Sequence, residues 1–317
     1  MDGRGAVGQV RAILGTAAGS FMLFLAPGVL PLLGDLLALF TPTPLVLAGL
    51  RFGWRVAAIA GLLSMGGVTL LLGSSIALLF AAQYVVAAVA MSEALQRRAP
   101  TNLVVGGSVA AVVLAGALLL GVAQVVSEEP PLAALTSNIE ATFEATLEAY
   151  RKVGQNDAQL AAMRTMAARL GRSLRLMVPG LLVSLALAGV TANLLMVRRI
   201  LPRWGGAGIP RDPDLGLWSA PWPSLLVGLA SGAALLLPVR LLRVGAANVL
   251  LVLALLFFLH GLAVAHFYLA RSRLPGALRA AGYGVLLMAP LVLAAVGVFD
   301  CWFNVRRLPR PPALPGG

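Results

Sequence analysis

The sequence predicts an all-α polytopic membrane protein, with about eight to nine transmembrane helices and one amphipathic helical-hairpin insert. Three observations lead there. Of 317 residues, 59% are hydrophobic and 11% charged, against about 25% charged in a soluble domain. Mean hydropathy is +0.91, and a soluble fold so apolar would expose large sticky patches. Charge is missing from long blocks before residue 125 and again from 176 to 303. The gap between them holds Glu128, Glu129, Glu140, Glu144, Glu148 and Asp157, half of the 12 acidic residues. The chain therefore divides into N-terminal membrane helices (1–125, about five spans), a charged hairpin (126–175), C-terminal membrane helices (176–305, about four spans) and a Pro/Arg-rich tail (306–317).

A span needs about 20 apolar residues. The first candidate runs from Arg11 to Pro27 or Pro31; it is long, Pro-broken and followed at once by another, so it reads as a retained span rather than a cleaved leader. The second, Leu32 to Leu50, is punctuated by Pro42 and Pro44 and also fits a half-span or re-entrant segment. Candidates three to five cover 54–73, 76–95 and 102–125. After the insert come 176–197, 222–239, 244–270 and 280–303, of which 222–239 is the least marked.

The net charge of +12 is almost all arginine, Lys152 being the one lysine. These arginines flank apolar blocks, which is the positive-inside pattern rather than a nucleic-acid face. They place the N-terminus in the cytoplasm. An odd count of nine spans would leave Arg306, Arg307 and Arg310 outside, and one span fewer would bring them in, so the side of the C-terminus stays open. Cys301 is the single cysteine, which rules out an internal disulfide.

In the insert, Leu135, Ile139, Phe143, Leu147 and Tyr150 form a stripe at helical spacing, beside Glu140, Glu144 and Glu148. Ser137 with Glu140 fits a capping box, and Gly154-Gln155-Asn156-Asp157 supplies a turn. A second, basic helix carries Leu160, Met163, Ala167, Leu170 and Leu174, and is expected to run into the sixth span near Pro179. Two arrangements fit: an antiparallel hairpin pairing acidic with basic helix, or surface helices in the headgroup layer.

Polar groups inside spans are costly and mark function or structural bonding. Gln83 lies in the middle of the fourth span and Asn193 late in the sixth. His260 shares a helical face with Phe257, Val264 and Phe267. Together with Gln83, the residues His260, Phe257 and Phe267 are the candidate wall of a small-molecule pocket; the alternative is that His260 bonds a neighbouring helix. At the end of the ninth span, Asp300, Trp302, Asn304, Arg306 and Arg307 form a dense polar terminus. Asp300, Asn304 and Arg307 fall on one helical face at i, i+4 and i+7, an arginine would pair with Asp300, and Trp302 would anchor at the interface. On the first helix Gly8, Ala12, Gly15 and Gly19 make a small-residue face suited to close helix docking, within the bundle or against a partner subunit. The two histidines lie on different faces and no zinc, nucleophile-elbow, P-loop or dinucleotide pattern occurs. No catalytic residue, metal or cofactor is expected, and the chain carries no ATPase.

The segments Pro42-Thr-Pro44 through Arg51-Phe-Gly53, Gly261 through His266-Phe267, and Gly297-Val-Phe-Asp300-Cys-Trp302-Phe-Asn304-Val-Arg306 resemble the YybS-like family of predicted bacterial membrane proteins, a domain of unknown function. The resemblance implies a multi-pass protein of the bacterial cytoplasmic membrane. Asn304 stands where that family leads one to expect an acidic residue. The N-terminal layout is also similar to substrate-binding S components of energy-coupling-factor transporters. That similarity implies a small-solute or lipid-binding subunit, docked through Gly8, Ala12, Gly15 and Gly19 to another membrane subunit and energised by a separate ATPase. S components usually have six spans and lack such a hairpin. Three readings stay open: a solute- or lipid-binding transport subunit, a non-enzymatic scaffold or regulator docking partners through 126–175, and a lipid-modifying enzyme using Asp300 and His260 as acid and base.

Overall fold

The computed structural model describes residues 3–30, 33–126, 144–152, 156–200 and 215–308. These are 87% helical and contain no strand. Among these described residues seven helices are long and apolar enough to cross a membrane, or eight if one bent pair counts as a span. The chain forms two compact units, 1–209 and 210–317.

In the first unit, α1 (Gly3–Val29) leads into the short α2 (Gly34–Ala38) and then α3 (Pro42–Phe52). The Pro-punctuated second span is thus a broken one. Pro42 has no backbone N–H and clashes with a preceding helical turn, so it can open a helix but not continue one. The break at 39–41 strands carbonyls that lipid could not satisfy, and buried side chains take them. Asn193 Nδ2 donates to Leu39 O (2.8 Å), Ser20 Oγ to Thr41 O (2.9 Å), and Thr41 Oγ1 to Ala38 O (2.7 Å). Gly53 and Gly73, at φ +93° and +89°, then turn the chain into α4 (Trp54–Leu72) and α5 (Ser74–Phe80), a conformation that glycine adopts at no steric cost. A π-turn, Ala81–Val85, interrupts the fourth span before α6 (Val86–Gln96), and α7 (Thr101–Val126) follows.

The insert is described in part. Helix α8 covers 144–152. Leu135, Ile139, Phe143, the Ser137–Glu140 cap and the Gly154-Gln155 turn lie outside the described residues. Helix α9 runs unbroken from Asp157 to Ile200 through Pro179. At 1.5 Å per residue it is about 66 Å long, against a hydrocarbon core of about 30 Å; its apolar part is Ser173–Ile200. Glu144 of α8 meets Arg164 of α9 at 3.4 Å, both side chains being exposed, and Leu147 is buried.

The second unit is built on α11 (Arg240–Arg271). The span expected at 222–239 is a 12-residue helix, α10 (Pro223–Ala234), preceded by the 3-10 turn Leu215–Leu217 and a non-helical stretch to Trp222. Gly216 abuts Phe267 and Gly228 abuts Leu253, so this segment runs antiparallel to α11. The span expected at 280–303 is two helices, α12 (Gly276–Leu287) and α13 (Pro290–Phe303), bent by 95°. Phe257 and Gly261 pack on Gly297, His260 on Asp300, and Tyr268 Oη donates to Val305 O (3.1 Å). From Phe257–Gly297 through His260–Asp300 to Tyr268–Val305 the residue numbers rise together, so α13 runs parallel to α11 and both helices end on the same side. Gly261 and Gly297 make this possible. A Cβ at Gly261 would run into the backbone carbonyl of Leu293, and one at Gly297 into that of Phe257.

Candidate functional site

In the second unit the close approach of α11 and α13 sets His260 beside Asp300. Helix α13 stops at Phe303, where Asn304 takes φ +46°, a left-handed cap that asparagine tolerates. Its side chain closes the turn, Nδ2 donating to Leu308 O (2.7 Å) and Oδ1 accepting from Leu308 N (2.9 Å). The reversed chain returns Arg306 into the core. Its Nε and Nη2 donate to Asp300 Oδ2 (3.0 and 2.8 Å), and its backbone N donates to Oδ1 (3.1 Å). Nη1 donates to the Gly216 and Trp218 carbonyls, and Nη2 to Ser219 Oγ (2.9 Å). Gly216 lies in the 3-10 turn and Trp218 follows it directly. One guanidinium fork thus neutralises a buried carboxylate and caps an irregular backbone, which the single point charge of a lysine could not do.

His260 Nε2 lies 2.7 Å from Arg306 Nη2 and 3.0 Å from Asp300 Oδ2. A guanidinium only donates, so Nε2 accepts and the ring proton is assigned to Nδ1, facing Cys301 Sγ at 3.6 Å. The Trp218 ring closes the edge at 6.0 Å between centroids. His260, Asp300 and Arg306 are all buried.

The first unit contains a cavity of about 580 Å³, lined by the end of α1 (Phe24–Gly28), α2, the π-turn, α6 and α9. Phe24, Phe80 and Tyr84 stack edge-on with centroids 5.0–5.7 Å apart. Four lining residues carry polar side-chain groups: Asp35, Gln83, Tyr84 and Asn193. Asn193 is fully used: besides Leu39 O it donates to Gly189 O (2.8 Å) and accepts from Thr43 Oγ1 (2.7 Å). Asp35 and Gln83 are exposed and make no side-chain bond among the described residues.

The family described as "Predicted membrane protein (DUF2232)" matches residues 18–301. The chain belongs to that family. No curated protein and no solved structure matches it. In this DUF2232 chain the sequence candidates fall in separate places. His260 joins Asp300 and Arg306, with Asn304 holding the turn; Arg307 is exposed. The extended face of Asp300, Asn304 and Arg307 does not form, because the helix ends before Asn304. Phe257 is buried against α13. Phe267 carries the Arg271 guanidinium 3.8 Å over its ring. Trp302 is exposed, as an interface residue would be. Gln83 lines the first unit's cavity. Around Gly8 and Gly15 there is open space, while Gly19 touches Pro44 and Ala12 is half-buried. Asp35 and Tyr84 were not singled out by sequence. The signal for Asp35 was an acid at the head of an apolar span, hidden by the Pro-broken stretch around it. Among the described residues no three His, Cys, Asp or Glu side chains gather as a metal site.

Proposed function

We propose that the protein is a non-enzymatic, solute-binding membrane subunit whose ligand occupies the first unit's cavity. The observation carrying this reading is a cavity of about 580 Å³, within the range of about 300–1,000 Å³ typical of small-molecule sites, whose mostly apolar wall includes an unbonded amide at Gln83. Gln83 sits in a π-turn, an element often retained at functional sites. Of the residues first considered for a pocket, Gln83 keeps that role. His260, Phe257 and Phe267 support a structural one, and the closed Asp300–Arg306 contact argues against acid–base chemistry. Energisation by a separate ATPase and docking of a partner subunit on the Gly8–Gly15 face accord with the S-component likeness. The YybS-like and S-component resemblances remain likenesses in layout.

Thermal-shift screening of the purified chain against vitamins, nucleobases and lipids tests the proposal. A stabilising ligand should lose its effect in Ala186→Phe, which fills the cavity. A panel without any shift, or a shift that survives Ala186→Phe, overturns it and favours the scaffold reading. In that reading deletion of 126–175 abolishes co-purification of partners.

We further infer residence in the bacterial cytoplasmic membrane with a cytoplasmic N-terminus. Because α13 runs parallel to α11, the α12–α13 pair dips in and returns, gathering Arg271, Arg273, Arg279, Arg306 and Arg307 at one end of α11 against Arg240 and Arg243 at the other. The positive-inside rule assigns the richer end to the cytoplasm.

A further inference from the structure

Three carboxylates lie in helices of the described membrane-spanning segments: Asp35, Glu93 and Asp300. Glu93 pairs with Arg97 at 2.8 Å and Asp300 with Arg306 at 2.8 Å. Asp35 has neither a cation nor a side-chain hydrogen bond among the described residues, yet it stands on the cavity wall. Asp35 stands in the first turn of α2, at the head of its span, and a cationic ligand in the cavity would meet its charge directly. No Arg, Lys or His lines the cavity, although the chain carries a net charge of +12. The same wall includes the rings of Phe24 and Tyr84, side chains of a type whose faces attract cations, and the Gln83 amide.

We propose that the cavity selects an organic cation: a protonated amine or quaternary centre on a flat or aromatic body, its charge against Asp35 and its apolar part against Phe24 and Tyr84. A bare metal ion would need several converging oxygens, and this wall presents one carboxylate among mostly apolar side chains. The proposal rests on the solute-binding reading above and names the ligand's class.

The probes are tetraphenylphosphonium, a permanent aromatic cation, and tetraphenylborate, an anion of the same shape. Binding to the full chain in detergent is measured by equilibrium dialysis. Saturable binding of the cation, at least about tenfold tighter than the anion, is expected. Asp35→Asn and Asp35→Ser should each weaken the cation about tenfold and erase the preference, while Asp35→Glu retains it. Using two neutral variants removes dependence on the folding of one. Equal binding of both ions, lost together in Ala186→Phe, overturns the charge selection while the cavity reading survives. Unchanged cation affinity in both neutral variants also overturns the charge selection. If neither ion binds the wild-type chain, both the selection and the cavity reading fall.

Discussion

At the scale of single residues, polar side chains inside this membrane protein divide by whether they are already bonded. Arg306 serves Asp300, His260, Ser219 and two backbone carbonyls at once. Arg306→Leu therefore leaves Asp300 buried and uncompensated, and breaking such a pair costs about 3–5 kcal/mol. Arg306→Lys should recover only part of this, because a lysine cannot fork. Arg307→Ala, one position on, should change stability by less than about 0.5 kcal/mol. Thermal melts of the three proteins in detergent check the contrast. Asn193→Leu removes the bonds to Leu39 O and Thr43 and should cost about 1–3 kcal/mol for the groups left unsatisfied, read in the same assay.

At the scale of elements, glycine sets where helices touch. Gly261→Ala or Gly297→Ala puts a methyl into a facing backbone carbonyl and should push α13 off α11, a loss of about 1–3 kcal/mol typical of overpacking with disordering of the Arg306 turn. Gly8→Ala and Gly15→Ala meet open space and should leave the isolated chain's melting temperature unchanged. Loss of partner co-purification in these two variants would mark their face as a docking surface. Apolar block length and arginine flanks made most spans legible in the sequence, and the second helix of the insert was expected to run through Pro179, as α9 does. What periodicity could not convey was the irregular backbone. The 280–303 block reads as one span, but Ala289-Pro290 bends it by 95°, and α10 begins where expected but stops at Ala234, ahead of Pro238. The polar terminus was visible as a cluster, yet its pairing depended on one left-handed residue, Asn304, which turns Arg306 rather than Arg307 toward Asp300. His260 was found from its helix. Its partners come from elements 40 and 46 residues away, a separation that single-helix spacing cannot reach.

At the scale of the whole molecule, broken helices and buried polar side chains go together. Irregular backbone survives at membrane depth only where protein groups satisfy it. Asn193, Ser20 and Thr41 do so at the α2–α3 break, and Arg306 does so at the stretch before α10. The returning α12–α13 pair also removes the conflict in the arginine counts, since Arg306 and Arg307 then share a side with Arg271 and Arg273. A C-terminal green fluorescent protein fusion should fluoresce and an alkaline phosphatase fusion at the same point should be inactive; the reverse result would mean that the pair crosses. Asp35 and Gln83 stand apart from this bonding scheme. They stabilise no break, and residues kept for a ligand rather than for the fold are often neutral or costly to stability. The direct test is therefore thermal unfolding of ligand-free Asp35→Leu and Gln83→Leu beside Asn193→Leu. The account predicts that the first two melt at or above the wild-type temperature while the third falls by several degrees; a comparable fall in all three would contradict it.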